Sequence, residues 1–313
     1  MFDHCPLDPI SSNPISGPLL TELQKGNRLR SEGYTGRFAP SPTGPMHLGN
    51  LRTALVSWLR ARLAGGKWLL RIDDLDSHRK ISGAAENIQE DLRWLGLDWD
   101  GPAIFQSDRE GLYESFLTDL KDKGQLYPCK CSRRELLLMS KSSQETSPYP
   151  GLCRNLNLSW ISNQGRSPSW RLIVDNDLFP GCGDIILKRS DKCVAYHFAT
   201  VIDEFTLGVS EVVRGSDLSD SLDKQLAITY YIGQEPLQYM HVPLYLDKNG
   251  QKLSKRNNVN GLDQLKLNGM SPYQVIAKLA FSLGLISSPD SISSKELLFE
   301  LKRKGNYLDN FYN

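Results

Sequence analysis

The chain has 313 residues, enough for a sizeable core and two packed units. Hydrophobic residues make up 40% and charged residues 23%, as in ordinary globular proteins, and no apolar run approaches the roughly 20 residues of a membrane span. A net charge of +1 excludes a global basic field for nucleic acid, so any RNA contact must come from local patches.

The chain opens MFDHCPLDPISSNPISGPLL, with no basic segment followed by an apolar core. No secretory signal is expected, and the cytoplasm is the expected location. The prolines and serines predict a disordered arm over residues 1–33, with the first strand near Tyr34. YTGRFA (34–39) reads as that strand. After a glycine- and proline-punctuated loop, Leu51, Ala54, Leu55, Trp58, Leu59 and Leu63 share one helical face. Asn50 is the expected N-cap and Gly65-Gly66 the stop. KWLLRI (67–72) then reads as a buried strand, completing a βαβ unit and seeding a parallel sheet.

A second helix is predicted from Ser82 to Leu95, ending at Gly96. A third starts at Ser107, where S-D-R-E has capping-box spacing, and ends near Gly124. Residues 126–190 change character: close cysteines, the stretch KSSQETSPYPG and short strands such as WRLIV predict an insertion. Parallel-sheet character returns in AYHFATVID and VSEVVRG, followed by a helix at 220–232. HVPLYLDKNGQKLSKR reads as strand, turn and loop. Residues 257–313 predict a short helical region with one clear helix at 272–283. The fold class is therefore α/β: a Rossmann-like parallel sheet in two halves, 34–125 and 191–256, around an insertion at 126–190. A monomer is the expected state.

The loop GRFAPSPTGPMHLGN (36–50) runs from a strand into a helix start, where α/β proteins bind ligands. Unpaired N–H groups and the helix dipole suit phosphate there. Neither G-x-x-x-x-G-K-[ST] nor G-x-G-x-x-G is present. Instead, His47 can donate to phosphate oxygens, and Gly49 leaves room for a flat base against the backbone. Far downstream, Lys252 and Lys255 in KLSKR stand three apart on a Gly-flanked loop able to close over a polyphosphate. A solvated lysine loop and a chance tetrapeptide are the bland alternatives to each motif taken alone.

H-L-G-N with K-L-S-K-R resembles the two signatures of class I aminoacyl-tRNA synthetases. RFAPSPTGPMHLGNLRTAL, RIDDLD and VVRG resemble the glutamyl-tRNA synthetase group, over about Gly36–Arg256. The resemblance implies ATP and glutamate as substrates, with Mg²⁺ accompanying ATP, and tRNA as partner. His47, Gly49, Asn50 and Lys255 would bind ATP, and His47, Gly49, Lys252 and Lys255 would serve catalysis. Arg37, Phe38, Ala39, Pro40, Ser41, Asp73, Tyr196 and Arg214 fall on the family's glutamate site. A planar guanidinium grips a carboxylate bidentately, which favours Arg37 as the side-chain anchor. Where the family has Glu to receive the substrate ammonium, Asp73 is one methylene shorter; Asp203-Glu204 stands at its double acid.

Cysteines stand at 5, 129, 131, 153, 182 and 193. In a reducing compartment, clustered cysteines point to metal or to nothing. On spacing alone, C-K-C at 129–131 is tighter than the usual zinc C-x₂₋₄-C, and buried, inert cysteines are an equal alternative. A shortened branch of the glutamyl-tRNA synthetase family carries C-x-C followed by Y-x-x-x-C as a structural zinc site. Cys129, Cys131, Tyr149 and Cys153 match it. That branch lacks an anticodon-binding domain, activates glutamate without tRNA, and transfers it to queuosine in the anticodon loop of tRNA(Asp). Residues 257–313 are too few for an anticodon-binding domain, which agrees. Lys130, Arg133, Arg134, Lys188 and Arg189 are candidates for RNA phosphates, or simply a solvated face. The alternatives are a truncated synthetase charging tRNA(Glu), a catalytically silent RNA-binding paralogue, and another H-x-G nucleotidylyltransferase.

Overall fold

The computed structural model describes residues 15, 17–139, 148–162, 165–245, 261–305 and 308. In chain order its elements are α1 (Gly17–Glu32), β1 (Thr35–Phe38), α2 (Leu48–Leu63), β2 (Lys67–Ile72), α3 (Ala84–Trp94), β3 (Ile104–Phe105), α4 (Glu110–Asp122), β4 (Leu126–Cys129), α5 (Arg133–Met139), β5 (Ser169–Leu172) and β6 (Ile185–Lys188). There follow α6 (Tyr196–Thr206), β7 (Glu211–Gly215), α7 (Leu222–Tyr231), β8 (Gln238–Val242), α8 (Leu262–Leu267), α9 (Pro272–Ser282) and α10 (Ser294–Lys304). The chain forms two compact units. One gathers Met1–Lys25, Arg109–Leu207 and Asp220–Pro236; the other gathers Gly26–Asp108, Gly208–Ser219 and Leu237–Asn313.

The second unit carries the parallel strands. β1 pairs with β2 from Thr35–Lys67 to Phe38–Leu70, and β2 pairs with β3 at Arg71–Ile104. β7 pairs with β8 from Glu211–Gln238 to Gly215–Val242. β7 also lies against β1: Ser210 N–H donates to the Thr35 carbonyl at 2.8 Å, and the Arg37 guanidinium donates to the Val213 carbonyl at 2.7 Å. The spatial order is therefore β3-β2-β1-β7-β8. The chain builds outward from β1 on one side, then returns to build outward on the other. Such a reversal leaves a crevice beyond the carboxyl ends of β1 and β7.

α2 spans this sheet because two sides of it are apolar. Leu48, Leu51, Leu55 and Leu59 are fully or almost fully buried, and α9 and α10 pack against α2, closing the core with Val275, Leu279, Leu297 and Leu301. The turn after α2 depends on Gly66. A Cβ there would stand 2.2 Å from the Tyr34 carbonyl oxygen, which instead accepts the Lys67 N–H at 2.9 Å and starts the β1–β2 register.

The first unit is built on an antiparallel sheet, β4-β5-β6, paired at Leu126–Leu172 and Leu172–Ile185 with an irregularity between Trp170 and Arg171. α4 packs on β4, α6 on β6, and α6 on α7. These contacts move the unit boundaries away from those expected at 125/126 and 190/191: α4, α6 and α7 belong with the antiparallel sheet. Asp203 explains part of this. Fully buried on α6, it accepts from the Tyr113 hydroxyl at 2.8 Å and from Arg109 at 2.7 Å, tying α6 to α4 and to the 3₁₀ turn before it.

Three expectations are corrected. The arm expected to be disordered over 1–33 contains α1, whose Leu19 and Leu23 are buried; Arg30 donates to the Val209 carbonyl at 3.0 Å. The disorder-promoting residues lie at or before the first turn of that helix, so they carry no weight beyond it. AYHFATVID is helix α6, not a strand. Phe198, Ala199, Val201, Ile202 and Phe205 are all buried, and a helix buried on every side loses the periodicity that separates it from a buried strand. Ser107 does not cap α4. Its N–H and hydroxyl both go to Asp74, at 2.9 and 2.8 Å, and the residues Gln106–Arg109 form a 3₁₀ turn.

Candidate functional site

α2 begins at Leu48 with His47, not Asn50, as its N-cap. His47 Nδ1 accepts from the Gly49 N–H at 3.1 Å and the Asn50 N–H at 3.3 Å, and Asn50 Oδ1 accepts from the His47 N–H at 3.4 Å. This is a capping box with imidazole in the place of a hydroxyl. Because Nδ1 accepts, the proton of the neutral ring sits on Nε2. A donor therefore stands beside a helix N-terminus, the combination that favours phosphate. A Cβ on Gly49 would lie 3.0 Å from both Nδ1 and Cε1 of His47, so glycine preserves the capping pose as well as space above the backbone.

The loop ahead of His47 is held at several points. The carbonyls of Pro40, Pro42 and Met46 accept N–H groups from Asp73 (3.0 Å), Ile81 (2.9 Å) and Leu262 (3.1 Å). Arg37 and Arg214 are the penultimate residues of β1 and β7, so a buried arginine stands near the carboxyl end of each strand. Phe38 points the other way, as strand alternation requires, and stacks on Trp68 with ring centres 6.3 Å apart. Its side chain belongs to the core, which leaves only its backbone for a ligand. Ser41 is exposed on the loop, between the half-exposed Ala39 and the buried Pro40 on one side and Pro42 on the other.

Arg214 is held by two residues of β8 that sequence reading missed. Its Nε donates to His241 Nε2 at 3.1 Å, and its guanidinium lies 4.9 Å from the centre of the Tyr239 ring. His241 is Arg214's partner in the parallel ladder, a relation invisible until the register is known. Burial, then the neighbouring cation, hold the His241 imidazole below its usual range, so it stays neutral and accepts. Asp73, after β2, is paired bidentately by Arg71 at 2.6 and 3.0 Å, with both side chains buried. An ammonium arriving at Asp73 meets a carboxylate already engaged. Asp74 beside it accepts from Lys80 at 2.9 Å and from Ser107. Burial would raise its pKa, but the Ser107 N–H, Lys80 and the Ser107 hydroxyl together bring it below the usual carboxylate value.

Arg37, Phe38, Ala39, Pro40, Ser41, His47, Gly49, Asn50, Asp73 and Arg214 thus fall in one unit. Tyr196 belongs to the other, where it opens α6 and meets the His197 ring edge-on at 5.4 Å. Lys252 and Lys255 lie outside the described residues, as does the side chain of Arg133.

In the other unit, the sulfurs of Cys129, Cys131 and Cys153 lie within 4.8 Å of one another. The Tyr149 oxygen is 3.4 Å from Cys129 Sγ and 3.3 Å from Cys131 Sγ, and Cys131 and Cys153 are 3.5 Å apart. A zinc ion with bonds of about 2.3 Å to tetrahedral sulfurs needs sulfur–sulfur edges of roughly 3.8 Å. Three soft donors and a phenol oxygen at this spacing fit such an ion. Burial pushes the Cys131 thiol up to about 11. Burial also works against Cys153 ionising, but the Tyr149 hydroxyl, the Lys130 N–H and the neighbouring thiols bring it down. Sulfurs this close hold protons against one another, and a cation among them is what releases them. β4 supplies Cys129 and the turn after it Cys131. On the far side, a Cβ at Gly183 (φ +64°) would strike the Tyr149 backbone at 2.7 Å, so glycine admits the Tyr149 segment.

The model for tRNA synthetases class I (E and Q), catalytic domain, matches residues 34–291. Glutamyl-Q tRNA(Asp) synthetase of Prochlorococcus marinus (strain MIT 9313) is 53% identical over 293 residues, covering 94% of this chain and 96% of that protein. The chain belongs to the glutamyl-Q tRNA(Asp) synthetase family. It is a ligase of the aminoacyl-tRNA synthetase type, with the class I catalytic fold.

A more distant glutamyl-Q tRNA(Asp) synthetase, from Symbiobacterium thermophilum, is 39% identical and covers 86% of this chain and 93% of its own. A glutamate tRNA ligase from Elizabethkingia meningosepticum, solved in complex with its amino acid, shares 25% identity and a TM-score of 0.69. That match covers 90% of this chain but 66% of the ligase, so the chain spans just under two thirds of that protein's length. The helix start at His47 and the strand ends at Arg37 and Arg214 lie at the carboxyl edge of the parallel strands, where open α/β sheets in general bind their ligands. No helix among the described residues is long and apolar enough to cross a membrane.

Proposed function

We propose that this protein activates glutamate with ATP, without needing tRNA, and transfers the glutamyl group to queuosine in the anticodon loop of tRNA(Asp). The observation that carries this reading is the near full-length identity of 53% to a glutamyl-Q tRNA(Asp) synthetase. An α-carboxylate oxygen of glutamate attacks the α-phosphorus of ATP. The bond to the bridging oxygen breaks, pyrophosphate leaves with its Mg²⁺, and glutamyl-adenylate remains. A nucleophilic group of queuosine then attacks the acyl carbon and AMP departs.

A carboxylate is already ionised at neutral pH, so the first step needs no general base; it needs positioning and charge stabilisation. His47 Nε2–H, the α2 N-terminus and Asn50 steady the phosphates, and Gly49 leaves room for adenine. Lys252 and Lys255 neutralise the leaving pyrophosphate. Arg37 clasps the side-chain carboxylate, with Ser41 and the backbone of Phe38–Pro40 beside it. Asp73 and Arg214 take the remaining groups of the amino acid. One structural zinc, held by Cys129, Cys131, Tyr149 and Cys153, fixes a surface that meets RNA. The protein acts as a monomer in the cytoplasm.

ATP–pyrophosphate exchange across the amino acids, with and without tRNA, tests activation. Exchange with glutamate alone is expected. R37Q abolishes it in a folded protein, and K255A lowers it on the order of 10²–10³-fold. Acylation of queuosine-containing tRNA(Asp) against tRNA(Glu) tests transfer. Charging of tRNA(Glu) alone overturns the acceptor; absence of any exchange overturns the enzyme.

A further inference from the structure

Arg171 stands on β5 opposite Tyr127 of β4 and is 5% exposed. Its guanidinium carbon lies 3.7 Å from the centre of the Tyr149 ring, stacked on the phenol that reaches into the cysteine cluster. One of its N–H groups donates to the Asp184 backbone carbonyl at 2.8 Å. Its Nε is buried with no hydrogen-bond partner, and among the described residues it forms no ion pair. The neighbouring Asp184 carboxylate is engaged elsewhere. It accepts from Arg154 at 2.5 Å, from the Tyr127 hydroxyl at 2.6 Å and from the Val174 N–H at 2.9 Å.

A guanidinium does not lose its proton in a protein, so Arg171 places a full positive charge in the interior without a carboxylate to match it. That is costly unless another negative charge lies near. The cysteine cluster supplies one. Cysteines that bind a metal do so as thiolates, and a divalent cation among three thiolates carries a net charge of about −1 before the phenol is counted. We infer that Arg171 is a positioning residue of this centre: it balances the negative charge of the loaded Cys129–Cys131–Cys153 set and clamps the Tyr149 ring so that its oxygen stays among the sulfurs. The inference rests on reading the cluster as a metal centre, and it assigns the metal's grip partly to a residue that donates no ligand.

The test compares the full-length wild type, R171M and R171K, purified without chelator. Zinc content is measured first, then zinc affinity by competition with a chromophoric chelator, then the visible spectrum of the cobalt-substituted proteins. R171M keeps an unbranched apolar stem and removes charge and plane; it is expected to bind zinc roughly 10–100-fold more weakly, as loss of an outer support typically does. R171K keeps the charge without the stacked plane. It is expected to retain zinc within about tenfold of wild type, with a cobalt spectrum shifted because Tyr149 is no longer clamped. A folded R171M that binds zinc as tightly as wild type overturns the inference. Should R171M fail to fold, R171K decides: a folded R171K that loses its zinc removes the charge-balancing role. Wild-type protein free of zinc overturns the metal reading itself, before Arg171 comes into question.

Discussion

His47 uses its two nitrogens differently, and substitution can separate them. Nδ1 caps α2, which leaves the proton of the neutral ring on Nε2. Asparagine is a good N-cap but has no imidazole. H47N is therefore expected to melt close to wild type yet lose on the order of 10²-fold in ATP–pyrophosphate exchange. H47A should lose the exchange and, in addition, about 1 kcal/mol of stability. An H47N protein with near wild-type exchange would confine His47 to capping. The motif was legible as a phosphate-binding helix start, but Asn50 was the better cap by residue type; only geometry shows the ring folding back onto the Gly49 and Asn50 N–H groups. His241 lay further from view, because its meaning is its register with Arg214. Its folded pKa is lowered, so its neutral form contributes stability in full above the unfolded value near 6.5, and that contribution is lost as pH falls through the folded value. Protonation turns an N–H toward the guanidinium it was accepting from. The KM for glutamate is thus expected to rise only as pH falls through that lowered folded value, below about 6.5, with H241Q showing a flatter acid limb and H241L a raised KM throughout. Matching acid limbs in wild type and H241Q would take His241 out of the amino-acid site.

At the scale of elements, β1, β2, β7 and β8 and the helices α2, α3, α4, α7 and α9 were readable from local signals such as the apolar stripe of α2 and the glycine stops at Gly65 and Gly96. What escaped was set by tertiary surroundings. α6 is buried on all sides, α1 follows a proline-rich stretch, and Ser107 abandons its helix to reach Asp74. That last contact has a measurable consequence. Asp74 joins the exit of β2 to the turn before α4 through Ser107, with Lys80 adding a second hold. Its folded pKa lies below the unfolded value near 3.9, so the stabilisation is complete above that pH and drains away as pH falls through the folded value. D74N should cost about 2 kcal/mol at neutral pH, chiefly through the Ser107 bonds, since Lys80 is partly solvent-screened. Its urea midpoint should also fall less steeply with acid than that of wild type below pH ~4. Parallel acid profiles for the two proteins would mean that Asp74 is not what holds this junction.

At the scale of the whole molecule, the sequence pointed to an insertion in a parallel sheet, and the compact units drew its edges wider, at Arg109–Leu207 with Asp220–Pro236. Such boundaries depend on which helix packs on which sheet, and hydrophobic periodicity is silent about that. The cysteine region differs from the parallel unit in what holds it. The parallel unit has a large apolar core running from Phe38 through α2 to α10. Around the cysteines the apolar packing is smaller: Tyr127, Cys129 and Cys153 with Cys131, Tyr149, Leu158 and Ile173 against them. A region with little apolar burial leans on other ties, here Arg171 and Asp184 and, on the function proposed above, a metal among the cysteines. Stripping the metal with a chelator should therefore open this region selectively. Hydrogen exchange read by mass spectrometry is expected to show peptides of β4 and β5, and the segment around Tyr149–Cys153, exchanging at least about tenfold faster after chelation, as local opening becomes cheaper. Peptides of β1, β2, β7 and β8 should hold their protection. Re-addition of zinc should restore the slow rates. Equal protection of the Tyr149–Cys153 segment with and without chelator would mean that the cysteines are packing residues, and that the fold there stands without an ion.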